Sequence, residues 1–118
     1  MAYKLSKTTV WVGDYRNQPG NLARVLEGLA AAGAALEFMV ARRVTEITAR
    51  VFVAPLRNAK QRRAALDVGL VPATSMHCLR IEGPDRVGLG ALLTRALAGR
   101  NINIRGASAA ALGRRTVL

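Results

Sequence analysis

Apolar residues recur along this chain with two periods, and the period switches at two junctions of similar build. Residues 8–13, with Val10 and Val12 alternating with Thr9 and Trp11, predict a first strand whose successive side chains point to opposite faces. Over residues 20–32 the spacing lengthens to that of a helix. Leu22, Val25, Leu26, Leu29 and Ala30 share one side, Arg24, Glu27 and Gly28 fall elsewhere, and Gly33 supplies the stop. Residues 36–43 and 47–54 read as a hairpin turning around Thr45 and Glu46, the second strand carrying Ile47, Ala49, Val51 and Val53 at period two. Pro55 ends it. Asn58, with Gln61 three residues on, has the pattern of an N-cap and capping box for a helix reaching Asp67 and closed by Gly69, after which Leu70 and Val71 begin a last short strand.

The resulting order, β-α-β-β-α-β, predicts an α+β, ferredoxin-like (split βαβ) fold, an antiparallel sheet with its helices on one face. The order then restarts, with a strand at residues 76–81, a helix at 85–98 and a strand at 101–107. At a separation of 68 residues Gly20, Ala23, Leu29 and Ala30 meet Gly88, Ala91, Leu97 and Ala98, and Val25 meets Leu93. The expected organisation is one full unit over residues 1–75 and a partial second copy over 76–118, made of β-α-β and the start of the next strand. A partial copy exposes strand edges and a leucine-rich helix side, so the chain is expected either to continue past Leu118 or to self-associate.

The two junctions are Arg16-Asn17-Gln18-Pro19-Gly20-Asn21-Leu22 and Pro84-Asp85-Arg86-Val87-Gly88-Leu89. Asn17 and Asp85 are expected N-caps, Pro19 suits a first helical turn, and Gly20 and Gly88 leave backbone amides uncovered, a setting that attracts anions. The same glycines would also serve close packing of helix on sheet, and Asp85 could be a cap alone. These motifs, with Asn101-Ile102-Asn103-Ile104 after the second helix, resemble the ACT domain family of regulatory modules, as a tandem pair with the second domain incomplete. Val87 stands where that family usually has Pro, and Ala34-Ala35-Leu36 replaces the usual Asn-Ile start. The resemblance implies a small-molecule effector, commonly an amino acid, bound at an interface between paired units in a homodimer. Its ligand positions would fall on Asn17, Gln18, Pro19, Gly20 and Asn21, and on Asp85, Arg86, Val87 and Gly88.

Charge adds a rival. Eighteen Lys and Arg against seven Asp and Glu give +11, a balance that attracts nucleic acid. The excess is spread along the chain, 11 basic to 5 acidic in residues 1–75 and 7 to 2 in 76–118, and Arg supplies fifteen of the eighteen, as a compositional bias of the source genome also would. A nucleic-acid-binding module of the same strand order needs an aromatic sheet face. This chain offers Phe38, Phe52, Trp11, Tyr3 and Tyr15 without the basic-Gly-aromatic motif of such modules. Enzyme chemistry lacks a constellation: His77 and Cys78 are neighbours on a strand and point apart, no metal-ligand spacing occurs, and Glu27, Glu37 and Glu46 are unpaired by motif. The reading is a non-catalytic module without cofactor or metal. With one cysteine, no signal-peptide layout and no long uncharged apolar run, it is expected in the cytoplasm, away from membranes.

Overall fold

A computed structural model describes residues 3–118. Its elements run β1 (Lys4–Thr8), β2 (Trp11–Arg16), α1 (Asn21–Ala31), β3 (Phe38–Arg43), β4 (Thr48–Ala54), α2 (Ala59–Asp67), β5 (Val71–Pro72), β6 (Cys78–Pro84), α3 (Leu89–Gly99), β7 (Ala110–Leu112) and β8 (Arg115–Val117). They form two compact units. Thr8–Cys78 makes the larger, and residues 3–7 join Leu79–Leu118 in the smaller.

The larger unit is a four-stranded sheet ordered β3-β4-β2-β5, with each pairing antiparallel. Register sets which residues meet the helices. Trp11 lies opposite Val53 and Gly13 opposite Val51, and all four are buried, while the alternate row of Asp14, Arg50 and Arg42 carries charge. Val25 and Leu29 of α1, Leu56, Ala65 of α2 and Leu70 complete the core. Each fully buried Leu or Val contributes about 1.5–3 kcal/mol by leaving water. Asn58 caps α2 as expected, its side chain accepting from the Gln61 amide at 2.9 Å. Gln61 reaches one residue further back than a capping box requires. Its Oε1 accepts from the Arg57 amide at 2.8 Å, and its Nε2 donates to the Gly33 carbonyl at 3.1 Å, tying α2 to the end of α1. Gly13 is required by space, since a Cβ there would lie 2.8 Å from the Gly69 carbonyl oxygen. The βαββαβ plan holds, with no helix in residues 47–54.

The smaller unit repeats β-α-β-β as β6, α3, β7 and β8, in a sheet ordered β1-β6-β8-β7. β1 takes the place that the last strand holds in the larger unit, so the edge of β6 expected to lack a neighbour is covered by the N-terminal segment. Tyr3 lies across Gly83, where a Cβ would meet its ring at 2.2 Å, and its hydroxyl donates to the Pro84 carbonyl at 2.7 Å. Leu93 and Leu97 of α3 are half-buried.

Several expected boundaries move. The first strand runs Trp11–Arg16 instead of 8–13, and β6 runs Cys78–Pro84 instead of 76–81. Ile47 lies outside β4 and is 74% exposed, because the Thr45 hydroxyl accepts from the Ile47 and Thr48 amides and curls the turn before the strand starts. The strand expected at 101–107 is absent. The free edge of β8 is taken by Ala110–Leu112, which Gly113 and Arg114 fold back in a two-residue turn with Gly113 at φ 62. A pairing partner two residues away costs less loop entropy than one a dozen residues away.

Candidate functional site: two glycine-started helices

Both junctions have the same backbone. The N-caps are Gly20 and Gly88, at φ 89 and 86, and neither start has a side-chain cap; Asn17, Pro19 and Asp85 lie outside the helices. This corrects the expected caps, and the cause is local. The chain leaves each strand through a turn that needs a left-handed residue immediately before the helix, a conformation Gly adopts without strain. Nothing lies within 4 Å of a Cβ built on either glycine, so backbone conformation selects Gly here and close packing does not.

The correspondence continues bond by bond at the 68-residue separation. Asn21 N donates to the Gln18 carbonyl at 3.4 Å as Leu89 N does to Arg86 at 3.3 Å, and Arg24 N donates to Gly20 as Leu92 N does to Gly88, both at 2.9 Å. At the helix ends Ala34 N returns to Leu29 at 3.1 Å and Ile102 N to Leu97 at 3.0 Å, with Gly33 and Asn101 both at positive φ. The amides of Leu22 and Ala23, and those of Gly90 and Ala91, are left without intrahelical acceptors and carry the positive end of the helix dipole.

The surroundings differ. At the first junction Asn17 and Asn21 hold the loop itself. Asn17 N donates to the Ile47 carbonyl at 2.8 Å and its side chain to Glu46 at 3.3 Å, while the Asn21 side chain donates to the Arg16 carbonyl at 2.8 Å. Gln18, Pro19 and Gly20 are exposed. At the second junction Asp85, Arg86 and Gly88 line an open depression of about 360 Å³ at the start of α3, closed on the other side by Ala110 of β7 and Thr116 of β8. Asp85 N donates to the Arg114 carbonyl at 2.8 Å, anchoring the junction to the β7–β8 turn. Val87 is fully exposed. Thr116 is buried, and its hydroxyl donates to Ala110 at 3.3 Å. Sequence reasoning expects a strand running up to Leu118, where β8 lies, but misses the hairpin that pairs it with Ala110–Leu112. Its signal was Gly113-Arg114 between short apolar runs.

Elsewhere, Arg50 grips Asp14 through Nε–Oδ1 at 2.6 Å and Nη2–Oδ2 at 3.1 Å, and this hydrogen bond holds the Asp14 carboxyl below the usual carboxylate range. Burial pushes the Tyr15 hydroxyl up, and the group donates to the Val68 carbonyl at 2.6 Å. Burial likewise raises the Cys78 thiol, the direction opposite to that of an activated nucleophile. Among the described residues no group of His, Cys, Asp or Glu could hold a metal ion, and no helix is long and apolar enough to cross a membrane. The sheet face away from the helices carries two aromatics, Phe52 between Val12 and Val40 and Phe38 two residues from Val40 on the edge strand β3.

Fold and junctions together are those of a ferredoxin-like βαββαβ unit with a second, partial copy of its strand-helix start. No protein-family model matches the chain, and no curated protein matches it in sequence. Solved structures do match in fold. Protein BT0572 from Bacteroides thetaiotaomicron superposes with a TM-score of 0.76 at 16% identity, over 96% of this chain and 77% of that one. The ligand-free regulatory subunit of aspartate kinase from Thermus thermophilus gives 0.64 at 17% identity, over 98% and 83%. A structure of aspartokinase alpha and beta subunits gives 0.64 at 17%, over 99% and 84%. At such identities the likeness is one of fold, and the named functions are those of the neighbours.

Proposed function

We propose that this chain is a non-catalytic regulatory module of the cytoplasm. It binds a small carboxylate-bearing effector, an amino acid, and works as a homodimer with the effector at an interface. One observation carries the reading: two helix starts 68 residues apart share a left-handed glycine cap and uncovered amides, and one of them faces a walled depression. In that depression the amides of Gly90 and Ala91 would receive the carboxylate, aided by the Arg86 guanidinium. Asp85 would receive the ammonium group, and Val87 and Gly88 would set the loop. Asn17, Gln18, Pro19, Gly20 and Asn21 form the equivalent position in the larger unit. The neighbours that are regulatory subunits of aspartate kinase support the regulatory assignment.

A thermal-shift screen of the twenty amino acids and common purines at millimolar concentration tests this, since a ligand held by the folded state raises Tm by mass action, about 2.7 kcal/mol at one hundred times Kd. Gly20→Leu and Gly88→Leu put a side chain over the open amides, and Gly88→Asn does so with a residue that tolerates positive φ. The expected result is a shift with one amino acid class that Gly88→Asn removes while the protein stays folded. No shift with any compound, or a shift unchanged in both Gly88 variants, would overturn the site. Salt-dependent nucleic-acid binding tighter than micromolar would favour the rival basic module instead.

A further inference from the structure

Charge on α2 runs against the helix's own dipole. The first turn of a helix favours acids and the last turn favours bases, because unpaired amides and carbonyls leave partial charges of opposite sign at the two ends. α2 holds no acid in its first turn and no base in its last. Instead Lys60, Arg62 and Arg63 gather near its start, and Asp67, its one acid, closes its end. Lys60 and Arg63 also repel each other at a spacing of three residues. Among the described residues none of these three cations pairs with a carboxylate, whereas Arg57, just before the helix, is held by Glu37. What α2 gives the fold comes from its other side, where Gln61 and Ala65 are buried. Three unpaired cations that destabilise their own helix point to an acid arriving from outside.

The build of the patch selects the occupant. Its three cations, with Ala59 and Leu66, line an open hollow of about 490 Å³, and Leu66 is 55% exposed. Around the helix, Ala59 and Leu66 fall between Arg62 on one side and Arg63 and Lys60 on the other. An apolar strip inside a charged rim is the anatomy of a protein interface. A phosphate backbone has no use for the leucine, and one leucine is too little apolar surface to hold a membrane. A second copy offers no match. The chain carries +11, Asp14, Glu37 and Glu82 are already paired, and the other four acids stand singly on α1, the β3–β4 turn, α2 and the second junction. We propose that the outer face of α2 docks an acidic segment of a partner protein, its carboxylates on Lys60, Arg62 and Arg63 and an apolar side chain against Ala59 and Leu66. This face shares no residue with the two glycine-started junctions, so docking and effector binding are separable.

The test uses the full chain with labelled peptides of repeated Glu-Glu-Leu-Glu, Glu-Glu-Ser-Glu and Lys-Lys-Leu-Lys, and single-stranded DNA of similar length. Fluorescence anisotropy should show saturable, salt-weakened binding of the first peptide and none of the third. The first should bind about tenfold tighter than the second, as burial of a leucine side chain predicts. Lys60→Gln with Arg62→Gln and Arg63→Gln should abolish binding. Arg42→Gln with Arg43→Gln and Arg95→Gln, which remove the same charge elsewhere, should leave it in place. Leu66→Ala should bring the first peptide down to the affinity of the second. Lys60→Glu with Arg62→Glu and Arg63→Glu should raise Tm, because acids then occupy the start of the helix, whereas a purely structural role for the cations would lower it. No saturable binding, equal loss in the two triple glutamine variants, a lower Tm in the glutamate variant, or DNA held on this face more tightly than the first peptide would each overturn the proposal.

Discussion

Leu29 and Leu97 occupy one position in the two units, yet only Leu29 is covered by a second helix, so truncating each to Ala should give unequal costs. Leu29 is 1% exposed among Trp11, Val25 and Val53. Leu29→Ala loses the transfer free energy of the side chain and leaves a cavity that the sheet and two helices collapse into only in part, roughly 2–5 kcal/mol. Leu97 is already reached by water. Its truncation encloses no void and loses only the part of the side chain that is buried, about 1 kcal/mol. Urea unfolding separates the two, because the single tryptophan, Trp11, is buried in the larger unit and its emission reports that unit alone, while far-UV circular dichroism sees both. Leu29→Ala should lower the fluorescence midpoint sharply. Leu97→Ala should leave it in place and shift only the remaining ellipticity, by a small amount. Equal costs at the two positions would refute the reasoning, since they would require α3 to be as fully enclosed as α1.

Two smaller effects follow from single contacts. Asn58→Ala deletes the side-chain acceptor of the Gln61 amide and should cost about 1 kcal/mol, read as a lower midpoint in the same fluorescence experiment. Because the hydrogen bond from Arg50 holds the folded carboxyl of Asp14 below its unfolded pKa, its contribution is complete above about pH 4 and is lost as pH falls through the folded value. The gap in midpoint between the parent and Asp14→Asn should therefore shrink from pH 6 to pH 3, modestly, since the pair is exposed.

Most helices and strands could be read from the sequence because their signals are short-range. Val25 and Leu29 are four residues apart, Val51 and Val53 two, and Asn58 finds its amide at Gln61. Such contacts depend on local period and on a side chain within reach of its own backbone. The repeat was legible for the same reason, since Gly20 and Gly88 serve turns that close within five residues. Tertiary structure decided what depends on partners. Lys4–Thr8 becomes a strand because β6, more than seventy residues away, leaves an edge open. Ile102 and Ile104 alternate as a strand should, yet Ala110–Leu112 reaches the edge of β8 first through its two-residue turn. Asn17 and Asp85 have good capping side chains and do not cap, because the path out of each strand puts a left-handed residue at the cap. Period and capping chemistry are written residue by residue. Which edge is free, which face is left uncovered and which φ a turn demands exist only once distant segments have met.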